Sequence, residues 1–332
     1  MKGSEPPASS RADQADDLQR AILRDEPVYD AAQVAAETGV DLEQARRLWR
    51  ALGFPESGNA VAYTENDVEA LRSVAGWIST GLLDADLAVN LSRAVGQTMA
   101  RLADWEVSAL VHRVEEMQPG PEGAGERLEL ATRMVEEFAA PFEQMLVYVW
   151  RRHLAAVLTR ISGLADDEDL HTSNLTVGFA DIVSFTALSN QIRQDRIGDL
   201  VELFEARCAD VVATQHGRVI KSIGDSVLFV NDDPVRGYDT AEGIINVIGR
   251  DPRMPDVRVG LATGSVVLRL GDVFGPPVNL ASRLTAVARR NRIIIDAETA
   301  GLLPADQFET RPLPARPVRG FGLVEPVAVR RA

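Results

Sequence analysis

The sequence predicts two domains, an all-α N-terminal domain followed by an α/β domain of ferredoxin-like type, and three observations predict them. Residues 29–116 carry apolar side chains at spacings of three and four with few β-branched clusters, the pattern of amphipathic helices. Two breaks, "PGPEGAG" at 119–125 and "ADDEDL" at 165–170, punctuate the chain. Beyond them, β-rich runs alternate with helical stretches around a central hairpin, which indicates helices packed on a sheet.

The 332 residues suffice for two cores. A hydrophobic content of 45% and a charged content of 25% are ordinary for a globular chain. The net charge of −14 weighs against general affinity for nucleic acid or anionic membrane. The best membrane-span candidate, "FEQMLVYVWRRHLAAVL", is cut by "RRH", and a bilayer needs about 20 apolar residues. The N-terminus lacks the apolar stretch of a signal peptide. A single cysteine, Cys208, allows no internal disulfide and fits the reducing cytoplasm.

In order along the chain, residues 1–18 are polar and Pro/Ser-rich, the composition of a disordered tail. A helical domain is expected over 19–125 and a helical linker with its acidic hinge over 126–171. In that linker Leu128, Ala131, Val135, Phe138, Phe142, Met145 and Val149 form a heptad seam. Such a seam pairs with another helix or packs on its own domain. Pro141 interrupts it, so a kink or a new helix is expected there. From 172 to 332 follow a strand ("LTVGFADI"), a helix ending at Gly217, a hairpin ("RVIKSIGDSVLFV"), a helix, a strand ("VRVGLATGSVVL"), a helix ("NLASRLTAVAR") and a strand ("RIIID").

Three clusters in this second half carry chemistry. Asp181 ends the first strand and Asp225 tips the hairpin; each alone reads as a turn or cap residue. Two aspartates at one sheet edge suit a hard divalent cation that also holds substrate phosphates. Lys221 is one of only two lysines among 35 basic residues, the other being Lys2. A compact ammonium suits a specific acceptor better than a casual surface position. In "GDVFGPPVNLASRL", Asp272 occupies a Gly-bounded loop, and Asn279 and Arg283 are one helical turn apart on a shared face.

Together "FADIVSFT", "KSIGDSVL" and "GDVFGPPVNLASRL" resemble the catalytic domain of class III nucleotidyl cyclases over about 172–332. The resemblance implies conversion of ATP to 3′,5′-cyclic AMP and pyrophosphate at composite sites of a homodimer. Asp181 and Asp225, with the Ile182 carbonyl, would bind two Mg²⁺ or Mn²⁺. Lys221 and Asp272 would read adenine; guanylate cyclases typically carry Glu and Cys there. Phe185 and Thr186 would contact substrate, Asn279 would orient the ribose, and Arg283 would stabilise the transition state. Arg319, in "VRGFG", matches a phosphate-contacting position that is usually lysine. The short segment between "ATGSVVL" and "GDVFG" is similar to the bacterial IIIc subgroup.

Residues 29–77 resemble the winged helix-turn-helix of MerR-type regulators, with Arg46, Arg47 and Arg50 on the second helix. The acidic balance makes DNA a poor partner for it. The whole helical block resembles the regulatory domain of acid-sensing mycobacterial-type cyclases. That implies autoinhibition relieved by pH, with a fatty acid or other small effector as a candidate ligand among the helices. Of the four histidines, His112, His153, His171 and His216, the pair flanking the hinge, His153 and His171, are the candidate sensors. The alternatives are a guanylate cyclase and a DNA-binding regulator with a nucleotide-sensing cyclase-like half.

Overall fold

The computed structural model describes residues 20, 22–117, 124–162, 172–269 and 271–332. The polar N-terminal tail, the acidic hinge and His171 lie outside the described residues. The chain divides into two compact units, Met1–Thr159 and Arg160–Ala332.

The N-terminal unit is helical. Helices α1 (Ala31–Thr38) and α2 (Leu42–Leu52) start at aspartates that satisfy their first free N–H groups. Asp30 accepts from the Gln33 N–H at 2.9 Å, and Asp41 from the Glu43 N–H at 3.0 Å. Each helix stops at a glycine in the left-handed region, Gly39 and Gly53. A backbone bridge between Tyr29 and Tyr63 ties the entry of α1 to that of α3 (Glu65–Ser79). These helices and α4 (Ala85–Met117) bury Val34, Leu48, Trp49, Tyr63, Val68, Leu71 and Val89 together. On α2, Arg50 is held by Glu43 and Glu56 at 2.7 and 3.0 Å, and Arg47 by Asp86 at 2.9 Å. Two of the three arginines singled out on the second helix are thus already ion-paired.

Helix α5 runs without interruption from Ala124 to Ser162, 39 residues. Of the kink and the new helix expected at Pro141, the new helix is not found. A proline inside a helix removes a donor and crowds the carbonyl four residues before it, and the helix formers on either side carry the helix past it. Phe138 and Phe142 of the heptad seam stack on each other with ring centroids 4.8 Å apart. Phe138, Met145 and Val149 are nevertheless exposed in the single chain. No helix among the described residues is long and apolar enough to cross a membrane.

The second unit is built on a mixed sheet of order β2-β3-β1-β4-β6-β10-β7, with β5 pairing β4. Its strands are β1 (Thr172–Ile182), β2 (Arg218–Ile223), β3 (Ser226–Asn231), β4 (Val257–Arg269), β5 (Asp272–Phe274), β6 (Ile293–Ile295), β7 (Phe308–Pro312) and β10 (Val327–Arg331). Interleaved are α6 (Phe185–Ser189), α7 (Gln194–Thr214), α8 (Pro234–Gly249), α9 (Pro276–Val287) and α10 (Ala297–Leu302). Strands β8 (Arg316–Val318) and β9 (Gly322–Val324) form a separate hairpin. The central pair, β1 with β4, is in antiparallel register from Thr172↔Val267 to Ile182↔Val257. The period-2 alternation of strands splits the core in two. Ala180, Ile182, Val227 and Phe229 face α7 and α8, where Phe204, Cys208 and Ile244 are fully buried. Leu175, Val177, Phe179, Leu228 and Val230 face α9, through Ala281 and Leu284. Burial pushes the Cys208 thiol far above its ordinary value, so the lone cysteine is a packing residue.

Candidate active site

The sheet register assembles the site on the α9 face. Asp181 lies between Ser226 of β3 and Arg258 of β4, its cross-strand partners on either side. Directly paired residues project to the same face, and here they bond. The Ser226 hydroxyl donates to Asp181 Oδ1 at 2.5 Å. The Arg258 Nε donates to Oδ2 at 2.7 Å, with a second guanidinium nitrogen also 2.7 Å from that oxygen. Arg258 is anchored in turn, donating to the Ala286 carbonyl at the end of α9 at 3.1 Å.

Asp225 sits in the β2–β3 turn beside this group. Its main-chain carbonyl accepts the Ile182 N–H at 3.1 Å, which brings the two aspartates to adjacent strand ends. Partial burial, and then the charge of Asp181, push the Asp225 carboxyl above its ordinary value, with Arg258 acting in the opposite sense.

A β-bulge sets the position of Lys221. On β2, Val219 pairs Phe229, but Lys221 pairs the very next residue of β3, Leu228. Ile220 is the extra residue, and the slip changes the phase of the strand. Without it Lys221 would share a face with Val219; with it Lys221 shares the α9 face with Leu228. There the ammonium donates to the Asp272 carboxylate on β5. The compact segment before Asp272 is a tight β4–β5 hairpin in which Arg269 opposes Asp272.

Helix α9 turns Pro277, Ala281, Leu284 and Thr285 inward. Asn279 and Arg283, on the other side, are exposed and have no protein partner among the described residues. The helix lies tight on β4, where a Cβ on Gly260 would stand 2.3 Å from the Thr285 nitrogen.

The remaining candidates are less gathered. Phe185 and Thr186 open the short α6, entered through Ser184 in the left-handed region at φ 59°. Phe185 packs on the core facing α7 and α8, and Thr186 is exposed. Arg319 is exposed at the tip of the separate β8–β9 hairpin and touches none of the others among the described residues. His153 is exposed on α5. Sequence reasoning missed Arg258 and Ser226. The available signal was an arginine inside the buried run "VRVGL", since a charge within a covered strand requires a partner.

Among the described residues there is no cluster of three or more His, Cys, Asp and Glu side chains. Asp181 and Asp225, at adjacent strand ends, are the carboxylates of this site that could hold a cation, with main-chain oxygens beside them. That sparse, all-oxygen set fits Mg²⁺-like ions, which use one or two carboxylates together with substrate phosphates.

Comparison with known proteins bears on both units. The family model "Adenylate and Guanylate cyclase catalytic domain" matches residues 168–329, and "Adenylate cyclase regulatory domain" matches residues 9–154. An adenylate cyclase of Streptomyces coelicolor is 39% identical, with 98% of this chain and 93% of that relative covered. A pH-sensitive adenylate cyclase of Mycobacterium tuberculosis is 30% identical over 94% of this chain and 81% of its own length. The solved catalytic core of a rhodopsin-guanylyl cyclase with converted specificity, bound to ATPαS, is 25% identical. It covers 49% of this chain and 98% of its own, with a TM-score of 0.46. With two matched domains in sequence and relatives alike along almost its whole length, the chain belongs to the adenylate cyclase family.

Proposed function

We propose that this chain is an adenylate cyclase that converts ATP to 3′,5′-cyclic AMP and pyrophosphate at the interface of a homodimer. One observation carries the reading. Strand register puts Asp181 and Lys221 on the α9 face of the sheet, Lys221 donates to Asp272 of β5, and α9, which packs on that face, carries Asn279 and Arg283 on its exposed side. In it Asp181 and Asp225, with the Ile182 carbonyl, hold two Mg²⁺ or Mn²⁺. The cations supply activation of the attacking ribose oxygen and neutralisation of the phosphates. Lys221 donates to the adenine ring and Asp272 accepts from its amino group, each exchanging the other for the base. Asn279 and Arg283 carry free polar groups toward the substrate, the amide to orient the ribose and the guanidinium to meet charge developing at the α-phosphorus. Phe185 and Thr186 contact substrate, and Arg319 reaches the terminal phosphates.

Exposed apolar helix faces support the homodimer. Leu87, Leu91, Val95 and Met99 recur every fourth residue on α4, and Phe138, Met145, Tyr148, Val149 and Trp150 are exposed on α5. Apolar surface of that extent is covered by a partner in a stable protein. In this reading residues 19–125 are regulatory, 126–171 transmit the signal and 172–332 are catalytic. A change of pH or a bound lipid is the input, with His153 and His171 as sensors. The ion pairing of Arg47 and Arg50 speaks against DNA as the ligand.

The test mixes Asp181→Ala with Lys221→Ala. Each variant alone is expected to be inactive with ATP, and the mixture to regain activity through one intact composite site per heterodimer. Heterodimers without activity would sink the composite site. Turnover of GTP in preference to ATP would sink the assignment of Lys221 and Asp272.

A further inference from the structure

The two aspartates differ in how they are held. Both oxygens of Asp181 are taken, one by Ser226 at 2.5 Å and the other by Arg258 at 2.7 Å. Arg258 is no loose surface side chain. Its strand position is fixed by cross-strand register with Asp181, its Ala286 bond fixes the far end, and its side chain is 29% exposed. Asp225 has no comparable cationic partner among the described residues. The group as it stands holds two carboxylates and one guanidinium at adjacent strand ends.

We infer that Arg258 is a positioning residue that occupies the place of a divalent cation on Asp181 and yields it when the cation binds. The inference rests on the reading of Asp181 and Asp225 as cation ligands. Two like charges brought together in a partly covered site repel, and an opposite charge beside them offsets that repulsion. The guanidinium does so in the cation-free protein while keeping the Asp181 carboxylate turned to the α9 face. Its cost is competition, because the Oδ2 atom it holds is the one an entering cation must take. Released from Asp181, the guanidinium remains tethered to the Ala286 carbonyl and stays beside the site.

The experiment uses the full-length protein without nucleotide. Mn²⁺ binding is titrated by electron paramagnetic resonance, and thermal melting is followed in EDTA and in saturating Mn²⁺. Arg258→Gln is expected to melt lower in EDTA, to gain more from Mn²⁺ than the wild type does, and to bind Mn²⁺ roughly tenfold more tightly. Arg258→Lys keeps the charge but loses the fork and the Ala286 bond. It is expected to lie between the two, and it serves if the glutamine variant does not fold. Asp181→Asn is expected to lose the Mn²⁺-dependent rise in melting temperature. An equal loss of melting temperature with and without Mn²⁺, at unchanged Mn²⁺ affinity, would overturn the inference and leave the cation ligands standing. Mn²⁺ binding indifferent to Asp181→Asn would overturn the ligand assignment, and the inference with it.

Discussion

Lys221 and Asp272 satisfy each other in the free chain, so the proposed base-reading pair is pre-positioned with the correct donor and acceptor. The pair is 39% and 26% exposed at its side chains, and such pairs contribute less than about 1 kcal/mol to stability. Lys221→Ala is therefore expected to leave the urea midpoint nearly unchanged. Its kcat/KM for ATP is expected to fall ~100-fold or more, since a site built around a hydrogen bond discriminates strongly once the donor is gone. Asp296 gives a prediction about stability instead. It caps α10 by accepting from the Thr299 N–H at 3.0 Å, yet it is buried, and burial raises its carboxyl above the ordinary value against those hydrogen bonds. A carboxyl raised in the fold favours the protonated folded state. Its ionisation costs stability above the unfolded value of about 4, and the cost fades as pH falls through the folded value. Asp296→Asn keeps the cap without the charge. It is expected to flatten the pH dependence of unfolding on the acid side of neutrality, as read by urea titration at several pH values.

At the scale of elements, α9 carries Asn279 and Arg283 and is placed by its close approach to β4. The approach requires Gly260, whose added Cβ would meet the Thr285 nitrogen at 2.3 Å and the Ala281 carbonyl oxygen at 2.5 Å. Gly260→Ala is expected to cost about 1–3 kcal/mol by forcing the helix off the sheet. It is also expected to lower kcat ~100-fold, because small misplacements of reacting groups are costly. Unfolding and turnover measured on the same preparation separate the two effects. The elements themselves were largely legible. The Gly-Asp turn before β3 is a local signal that short-range sterics dictate, whereas the helix expected to end at Gly217 stops at Thr214, with His216 in the left-handed region. At Pro141 the new helix, one of the two outcomes expected there, does not form, and the helical pattern continues through it over 39 residues.

For the whole molecule, the proposal joins a regulatory half to a catalytic half that forms a compact unit from Arg160 onward. Residues 166–332 alone are expected to make cyclic AMP with a pH profile different from that of the full chain. Product formation measured against pH for both forms checks it, and identical profiles would remove the N-terminal half from control. By itself the sequence determined the division into a helical and an α/β half, most of the strands and helices from β1 to β6, and which acids, lysine, amide and arginine are candidates for the site. These follow from periodicity, turn chemistry and local spacing. Only the tertiary structure decided which of them meet. The bulge at Ile220 turned Lys221 onto the α9 face, and strand register joined Arg258 to Asp181 across 77 residues. Strand alternation has a period of two, so a slip of one residue reverses every face. That register is set by long-range pairing and core packing, which no local stretch of chain contains.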